Sequence, residues 1–293
     1  MYVLSGGSSW NVAEPFFPKE RLIILGGGHV ALPVAEFGAR VGFLVTVVDD
    51  RLSFANPGRF PMAEKVICDD FGHAIKELKI QESDYICIVT RGHRHDADCL
   101  RMIGKGKEPA YLGMIGSRRR VGIVKQELLE EGYDPERMSR LKSPIGLKIG
   151  GVTPEEIAIS ILAEIIQVKR MDREDKRVKN RSDLDFDVLK RLAEEPDEPK
   201  AVVTVIESKG SSPRGAGAKM IVYRDGRILG SIGGGCSEAA VLGEARSLIG
   251  SGRYKVVHVD LTGEAAEDEG MVCGGIMDVL VEDFATDREP CDR

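Results

Sequence analysis

The sequence predicts an α/β protein with a Rossmann-like, doubly wound parallel sheet and a second, small α+β domain rich in glycine and cysteine. A glycine-rich turn between an apolar run and a helix-compatible segment predicts the first domain. Two cysteine–glycine junctions in the last third of the chain mark the second. The length of 293 residues agrees with two domains, because single hydrophobic cores usually stop growing before that size.

The amino-acid composition and net charge indicate which classes of protein this chain can belong to. The chain is 42% hydrophobic and 30% charged, as in ordinary globular proteins. No apolar run approaches the ~20 residues that span a bilayer, and the first ten residues do not have the pattern of a signal peptide. We therefore expect a cytoplasmic protein that does not bind membranes. The formal net charge of -6 disfavours nucleic acid as a partner.

The first predicted strand ends in a glycine-rich turn. Gly26 to Ala31 match the pattern G-x-G-x-x-A of dinucleotide-binding turns. Gly26 permits the sharp bend from strand to helix, and Gly28 lets the backbone approach a phosphate. The helix N-terminus that follows points free N–H groups at the anion. We predict that Gly26, Gly28 and His29 contact a nucleotide.

The second predicted strand ends in two acids, Asp49 and Asp50, about twenty residues after the glycines. A carboxylate at this place can accept a hydrogen bond from a ribose 2′-hydroxyl. Two adjacent acids disfavour the extra phosphate of NADP. Further strand-like runs at residues 65–67, 85–90 and 111–115 alternate with helix-compatible segments, which predicts a parallel sheet with helices on both faces.

Two later strands are followed by polar side chains, at the sheet edge where such folds bind ligands. His93, His95 and Asp96 could ligate a metal or move protons, or form a solvated loop with a helix-capping aspartate. Ser117, Arg118 and Arg119 open the next helix. Arginines in a first helical turn oppose the helix dipole, which favours an anion site there over side chains that extend into solvent.

A later helix is predicted from Thr153-Pro154-Glu155-Glu156, a capping box with proline at the first helical position. Its apolar residues form two stripes, so we expect burial on two sides, within the domain or at a dimer contact. A charged linker over residues 171–185 follows.

The second domain carries the strongest local chemistry. Ser212 and Arg214 lie in a glycine-rich loop suited to an anionic group. Cys236 follows three glycines and enters a helix, where the dipole lowers the pKa of a thiol. It could be a nucleophile, a persulfide carrier or a ligand for a soft metal. Cys273 precedes two glycines. The alternative is a pair of tight turns with incidental thiols, and the spacing does not suit zinc.

Three other cysteines lie in a different sequence context. Cys68, Cys87 and Cys99 lie in or beside apolar stretches and are expected to be buried thiols. Six cysteines are too few for a disulfide scaffold in a chain of this length.

Together these segments resemble the xanthine dehydrogenase accessory factor family (XdhC/CoxI), and the resemblance covers nearly the whole chain. It rests on motifs in both domains. In the first domain they are Gly26–Val30, Val45–Arg51, Phe54–Asn56, Arg59–Pro61, Ile115–Arg119, Pro144–Leu147 and Thr153–Ala158, and in the second Gly210–Arg214, Gly233–Ala239 and Cys273–Gly275.

The resemblance implies a chaperone-like protein rather than a catalyst. Members of the family bind molybdenum cofactor, protect it during sulfuration and help to deliver it to a molybdenum hydroxylase. The implied partners are such a hydroxylase, a cysteine desulfurase and a second copy of the chain. Cys236 becomes the first candidate contact to the molybdenum, and Cys273 the second. The other implied cofactor contacts are Ser212, Arg214, Gly234, Gly235, Glu238 and Gly274.

The family resemblance also sets the expected domains. We predict an N-terminal segment at residues 1–19, a Rossmann-like domain at 20–170, the linker, a cysteine domain at 186–285 and a tail at 286–293. This order reverses the usual family order, in which the cysteine domain comes first. Val12–Phe16 echoes Leu280–Phe284, as if the N-terminus kept the remnant of a preceding cysteine domain.

Two other functions compete with this hypothesis. An NAD(P)-dependent oxidoreductase would use the glycine turn and Asp49, with His93 or His95 as proton donor, but it leaves Cys236 and Cys273 without a role. A purely structural scaffold that binds the dehydrogenase is the third possibility.

Overall fold

The computed structural model describes residues 2–6, 9–13, 18–171, 184–210, 214–260 and 275–284, with backbone only at 2–6, 9–13, 93 and 236. The chain forms two compact units. One comprises residues 17–181, and the other comprises residues 182–293 together with 1–16. The chain begins with an antiparallel hairpin of β1 (Tyr2–Gly6) and β2 (Ser9–Ala13).

The unit of residues 17–181 is a parallel sheet with helices on both faces, which confirms the predicted Rossmann-like fold. Its strands lie in the order β5–β4–β3–β6–β7. In chain order the elements are β3 (Arg21–Leu25), α1 (Ala31–Arg40), β4 (Leu44–Asp49), β5 (Lys65–Cys68), α2 (Phe71–Leu78), β6 (Tyr85–Ile88), α3 (His93–Gly104), β7 (Tyr111–Met114), α4 (Arg118–Glu130), α5 (Pro135–Arg140) and α6 (Pro154–Met171).

The central strand β3 is buried on both faces, as expected for a parallel sheet covered by helices. Leu22 and Ile24 face the core that α1 and α6 cover, and Ile23 and Leu25 face the core beneath α2, α3 and α4. From β3 the chain adds β4 and β5 on one side of the sheet, and it then crosses to add β6 and β7 on the other side of β3. The residues that follow these two strands therefore lie at the crevice where open α/β sheets bind ligands.

Local signals in the sequence explain where several helices begin. Ser117 caps α4 by accepting a hydrogen bond from the Arg120 N–H. The predicted capping box of α6 is confirmed, since Thr153 Oγ1 accepts from the Glu156 N–H and the Glu156 carboxylate accepts from the Thr153 N–H. Cys87 and Cys99 are buried as expected, but Cys68 is exposed, because β5 is the edge strand of the sheet.

The other unit is built on a five-stranded antiparallel sheet, which confirms the predicted α+β domain. Its elements are α7 (Phe186–Glu194), β8 (Lys200–Gly210), β9 (Lys219–Tyr223), β10 (Ile228–Gly230), α8 (Gly235–Leu248), β11 (Tyr254–Asp260) and β12 (Gly275–Phe284). Side chains alternate along β9: Met220 and Val222 pack under α8, whereas Ile221 and Tyr223 pack on the opposite face against α7.

A buried carboxylate closes the turn after α8. Asp283 on β12 accepts hydrogen bonds from the N–H groups of Gly250 at 2.9 Å and Gly252 at 2.7 Å. Both glycines have positive φ, so the turn favours glycine at both positions. The carboxylate satisfies two backbone donors that the turn would otherwise leave without partners.

Asp283→Ala is expected to lower the free energy of unfolding by about 1–3 kcal/mol, because it leaves two backbone donors unsatisfied. Chemical denaturation of the full chain measures the change. Glu282→Ala is the matched control, since Glu282 is the half-exposed neighbour on the other face of β12, and its effect should stay within about 0.5 kcal/mol. Equal losses in both variants would contradict this role of Asp283.

Candidate functional site

The glycine turn lies at the carboxyl end of β3, where the sequence places it. The Gly26 N–H donates to the Val48 carbonyl at 2.7 Å, which ties the turn to β4. Gly26 has φ of 112°, and a Cβ there would lie 2.5 Å from the Val89 carbonyl oxygen beyond β6. Only glycine fits at this position, because both the backbone conformation and the close approach exclude a side chain.

Residues 51–60, called here the cover segment, lie directly on this turn. A Cβ on Gly27 would overlap the Phe54 carbonyl oxygen, so the two backbones touch. The Arg59 guanidinium donates to the carbonyls of Gly27 at 3.3 Å and Gly28 at 3.4 Å. The Arg51 guanidinium lies 3.7 Å above the ring of Phe54. Gly27, which lies between the two motif glycines, therefore packs against the protein's own chain.

Asp49 holds the turn and the cover segment together. Its buried carboxylate accepts from the Gly27 N–H at 2.8 Å, and from the Arg51 backbone N–H at 3.0 Å, Nε at 2.8 Å and Nη2 at 3.0 Å. Burial alone raises the pKa of Asp49, but the hydrogen bonds from Arg51 and Gly27 outweigh it and hold the pKa below its ordinary value.

Two groups that a dinucleotide would use at this turn are paired with each other in the structure. In such sites the glycine N–H groups face the pyrophosphate and the acid accepts from the ribose. Here the Gly27 N–H and the Asp49 carboxylate bond to each other, and Phe54 lies over the turn. Gly28 has open space at its Cβ position, and His29 is exposed.

Asp50, the second predicted acid, lies at the surface beside the crevice. Its carboxylate forms a bidentate ion pair with Arg91, with both distances 2.8 Å. Asp50 follows β4 and Arg91 follows β6, so the ion pair links the chain segments that leave these two strands. Asp49 and Asp50 thus both have protein partners.

His95 and Asp96, which the sequence groups with His93, have different partners in the structure. His95 packs edge-on against Phe71, with ring centroids 5.6 Å apart. Asp96 is buried and accepts hydrogen bonds from the Thr90 hydroxyl and the Arg120 guanidinium. Burial raises the pKa of Asp96, and these partners oppose that effect. The His93 side chain lies outside the described part. Among the residues that the structure describes, no three His, Cys, Asp or Glu side chains form a metal-binding group.

The three arginines that the sequence places at the start of a helix lie in the first turn of α4. Arg118 and Arg119 are exposed, whereas Arg120 points inward to Asp96. The Arg120 Nε is buried without a hydrogen-bond partner in the described structure. A cavity of about 290 Å³ lies beside this turn, lined by Ser117, Arg119, Arg120, Ile123 and Glu127.

In the other unit, a carboxylate again organises a glycine turn. The Glu238 Oε1 accepts from the Ser231 hydroxyl at 2.7 Å, the Gly234 N–H at 2.9 Å and the Ile232 N–H at 3.3 Å. Gly233, Gly234 and Gly235 have φ of 136°, 73° and 52°, a succession that residues with side chains rarely adopt. The turn is therefore specific to glycine and braced from α8.

Cys236 is the second residue of the helix that this turn opens. Gly234 is the N-cap, and because it is a glycine it gives α8 no side-chain cap. Ser237 is buried and donates its hydroxyl proton to the Gly234 carbonyl at 2.8 Å. The backbone thus places Cys236 in the positive end of the helix dipole, an environment that favours a thiolate. Its side chain lies outside the described part of the chain.

The remaining predicted contacts of this unit are only partly described. Ser212, Cys273 and Gly274 lie outside the described residues. Arg214 is half-buried. Sequence reasoning grouped Arg120 with the arginines of the expected anion site, whereas the structure pairs it with Asp96. It assigned no role to Arg51, Arg59 or Thr90. The adjacency of Arg51 to two acids is the one signal that pointed to an internal ion pair.

Comparison with known proteins gives matches in both units. Residues 22–165 match a family model described as the XdhC Rossmann domain. Residues 193–260 match one described as the XdhC and CoxI family. The second match includes the glycine turn and Cys236, and the first includes the cover segment.

Three relatives share parts of this chain. "Uncharacterized protein YqeB" of Escherichia coli K12 is 37% identical over 152 residues, 52% of this chain and 28% of that protein. A probable xanthine dehydrogenase subunit of Bacillus subtilis 168 is 34% identical over 153 residues, 52% and 44%. "Molybdenum cofactor insertion chaperone PaoD" of E. coli K12 is 40% identical over 74 residues, 25% and 23%. The chain spans less than half the length of each relative.

Asp49→Asn is expected to lower the free energy of unfolding at pH 7 by about 2–3 kcal/mol, because an amide accepts fewer of the four hydrogen bonds. The lowered pKa of Asp49 gives a stabilisation that is present above the ordinary aspartate pKa and is lost as the pH falls through the folded-state pKa. The variant should therefore lose less stability than the wild type below about pH 4. Denaturation at several pH values measures both effects.

Asp50→Asn provides the control for that experiment, because Asp50 has an ion pair of the same kind at the surface. Its effect should be below about 1 kcal/mol. An acid dependence unchanged by Asp49→Asn would contradict the assigned role.

We also expect that NADH does not bind saturably to the wild-type chain at concentrations up to about 1 mM, the upper end of ordinary enzyme affinities. The physical reason is that the cover segment occupies the turn. Titration of nicotinamide fluorescence measures binding. Arg59→Ala, which removes the two contacts from the cover segment to the turn, tests whether a loosened segment admits the dinucleotide. Tight binding by the wild type would contradict the geometry and favour an oxidoreductase.

Proposed function

The chain belongs to the XdhC and CoxI family, and from this premise we propose that it binds molybdenum cofactor and assists its sulfuration and insertion into a xanthine dehydrogenase-type hydroxylase. One observation carries the proposal: Cys236 is the second residue of α8, behind a glycine turn braced by Glu238, inside the segment that matches the family. A thiolate favoured by a helix dipole is a suitable ligand for a soft metal centre.

The relatives point to the same kind of partner. One carries the name of a molybdenum cofactor insertion chaperone and another that of a probable xanthine dehydrogenase component. We therefore propose a molybdenum hydroxylase as the recipient. A cysteine desulfurase is the proposed sulfur donor, because a thiol at a helix N-terminus is suited to receive a persulfide. The proposal also includes a homodimer in the cytoplasm. In the described residues, no helix combines the length and apolar character needed to cross a membrane.

The residues of the second unit fit the chemistry of such a cofactor. When bound, the cofactor supplies the redox-active metal that the recipient enzyme uses. Cys236 would contact the metal, with Cys273 as a second thiol. The N–H groups at the start of α8 would face anionic groups of the ligand. Gly234 and Gly235 leave open space where side chains would stand, so a ligand can approach the backbone.

Each other predicted contact has a distinct role in this proposal. Glu238 fixes the turn, because three donors converge on its carboxylate oxygen. Arg214 is proposed to attract the anionic group, together with Ser212. In the first unit, Ser117, Arg118 and Arg119 form a phosphate-binding turn beside the cavity near α4.

The arrangement favours handling of a cofactor over catalysis on a substrate. An oxidoreductase would need a cofactor cradle, and Asp49 and the cover segment close the one that the glycine turn offers. A purely structural scaffold would not need a thiol behind three positive-φ glycines.

Cys236→Ser is expected to reduce the molybdenum and pterin content of the purified chain by roughly tenfold or more, because a hydroxyl is a much poorer ligand for a soft metal. The protein is expressed in a host supplied with molybdate, and both contents are measured per chain. Cys68→Ser is the matched control, since Cys68 is an exposed cysteine in the other unit. Cofactor retained equally by both variants would exclude Cys236 as the main ligand, and a wild type without cofactor would argue against the proposed function.

A further inference from the structure

Helix α6 presents an apolar stripe to solvent. Ile159 is 52% exposed and Ile166 is 40% exposed, which is unusual for large aliphatic side chains so close together. Ala163 lies between them on the same face, because residues three and four apart are neighbours on a helix. The opposite face is buried in the core against α1, with Ala158, Ile161, Leu162 and Ile165. Of the two sides that the sequence predicts to be buried, the fold itself covers one.

The segment that leads into α6 widens this apolar surface. The Leu147 N–H donates to the Ser160 carbonyl at 3.2 Å, so the segment runs beside the first half of the helix. Leu147, Ile149 and Val152 are all exposed, and Val152 is 82% exposed. The stripe and the segment before it thus both expose large aliphatic side chains, and a large exposed apolar patch marks an interaction site.

The charges at the two ends of α6 are opposite in sign. Glu155 and Glu156 lie in its first turn, and Lys169 and Arg170 in its last. Along the exposed face the order is an acid, three apolar residues and a base: Glu155, Ile159, Ala163, Ile166 and Arg170. The apolar centre lies between an acid and a base, so each end of this face carries the charge that the other end would pair with.

We propose that this face joins two copies of the chain, with the two α6 helices antiparallel about a two-fold axis beside Ala163. In that register Glu155 of each copy faces Arg170 of the other, and Ile159 faces Ile166. The small side chain of Ala163 lets the helices approach closely at the axis.

A second copy is the occupant that this surface fits best. A two-fold interface uses one patch on both protomers, so the patch must complement itself. The exposed face of α6 meets this condition in charge and in apolar character. The inference shares only the homodimer with the proposed function. Its test needs no cofactor, so the two proposals can fail separately.

The test measures the mass of the full chain by sedimentation equilibrium over a range of concentrations. The wild type is expected to be dimeric, and Ile159→Glu and Ile166→Glu are each expected to weaken dimerisation by roughly a hundredfold, because they place a charge in the apolar centre. Leu129→Glu on α4 is the matched control, since Leu129 is also a large exposed aliphatic residue, and it should leave the dimer intact. Unchanged thermal melting shows that the variants fold.

A charge exchange tests the antiparallel register. Glu155→Arg and Arg170→Glu each place like charges opposite one another and should weaken the dimer, whereas the double variant should restore it. A wild type that is monomeric at all concentrations, or a dimer insensitive to the α6 substitutions, would overturn the interface. Failure of the double variant to recover would overturn the antiparallel register.

Discussion

Carboxylates that accept hydrogen bonds from glycine N–H groups organise the turns of both units. Asp49 holds Gly27, Glu238 holds Gly234, and Asp283 holds Gly250 and Gly252. A turn with successive glycines has many conformations in the unfolded chain, so it needs a fixed partner to adopt one. Each carboxylate satisfies donors that the turn exposes and thereby fixes its shape.

The contact between a carboxylate and a glycine turn has a different consequence in each unit. In the parallel-sheet unit the carboxylate and the cover segment take up the groups that would otherwise face a dinucleotide. In the antiparallel unit, the Glu238 carboxylate holds the glycine turn that leads into α8. The same kind of contact therefore closes the glycine turn of one unit and fixes the start of a helix in the other.

The function that we propose depends on the thiol of Cys236 and on the backbone that positions it. Three successive positive-φ glycines are conformationally costly for any other residue, so the turn is built to deliver the helix N-terminus at one orientation. A ligand that carries both an anionic group and a soft metal matches such a terminus, because the backbone attracts the anion and the cysteine binds the metal. The exposed face of α6 adds a separate surface, whose charge order is suited to self-association.

The sequence by itself determined the architecture of both units and the positions of their glycine turns. Strand, glycine turn, helix and acid occur in an order that few folds share, and these are local patterns that neighbouring residues carry. The partners of the polar groups could not be read in the same way. A carboxylate that accepts from a ribose and one that accepts from Gly27 and Arg51 look the same in sequence, and so do a metal-binding Asp96 and one paired with Arg120. Tertiary structure decided between them, because the cover segment has no periodic pattern and only folding brings it onto the glycine turn.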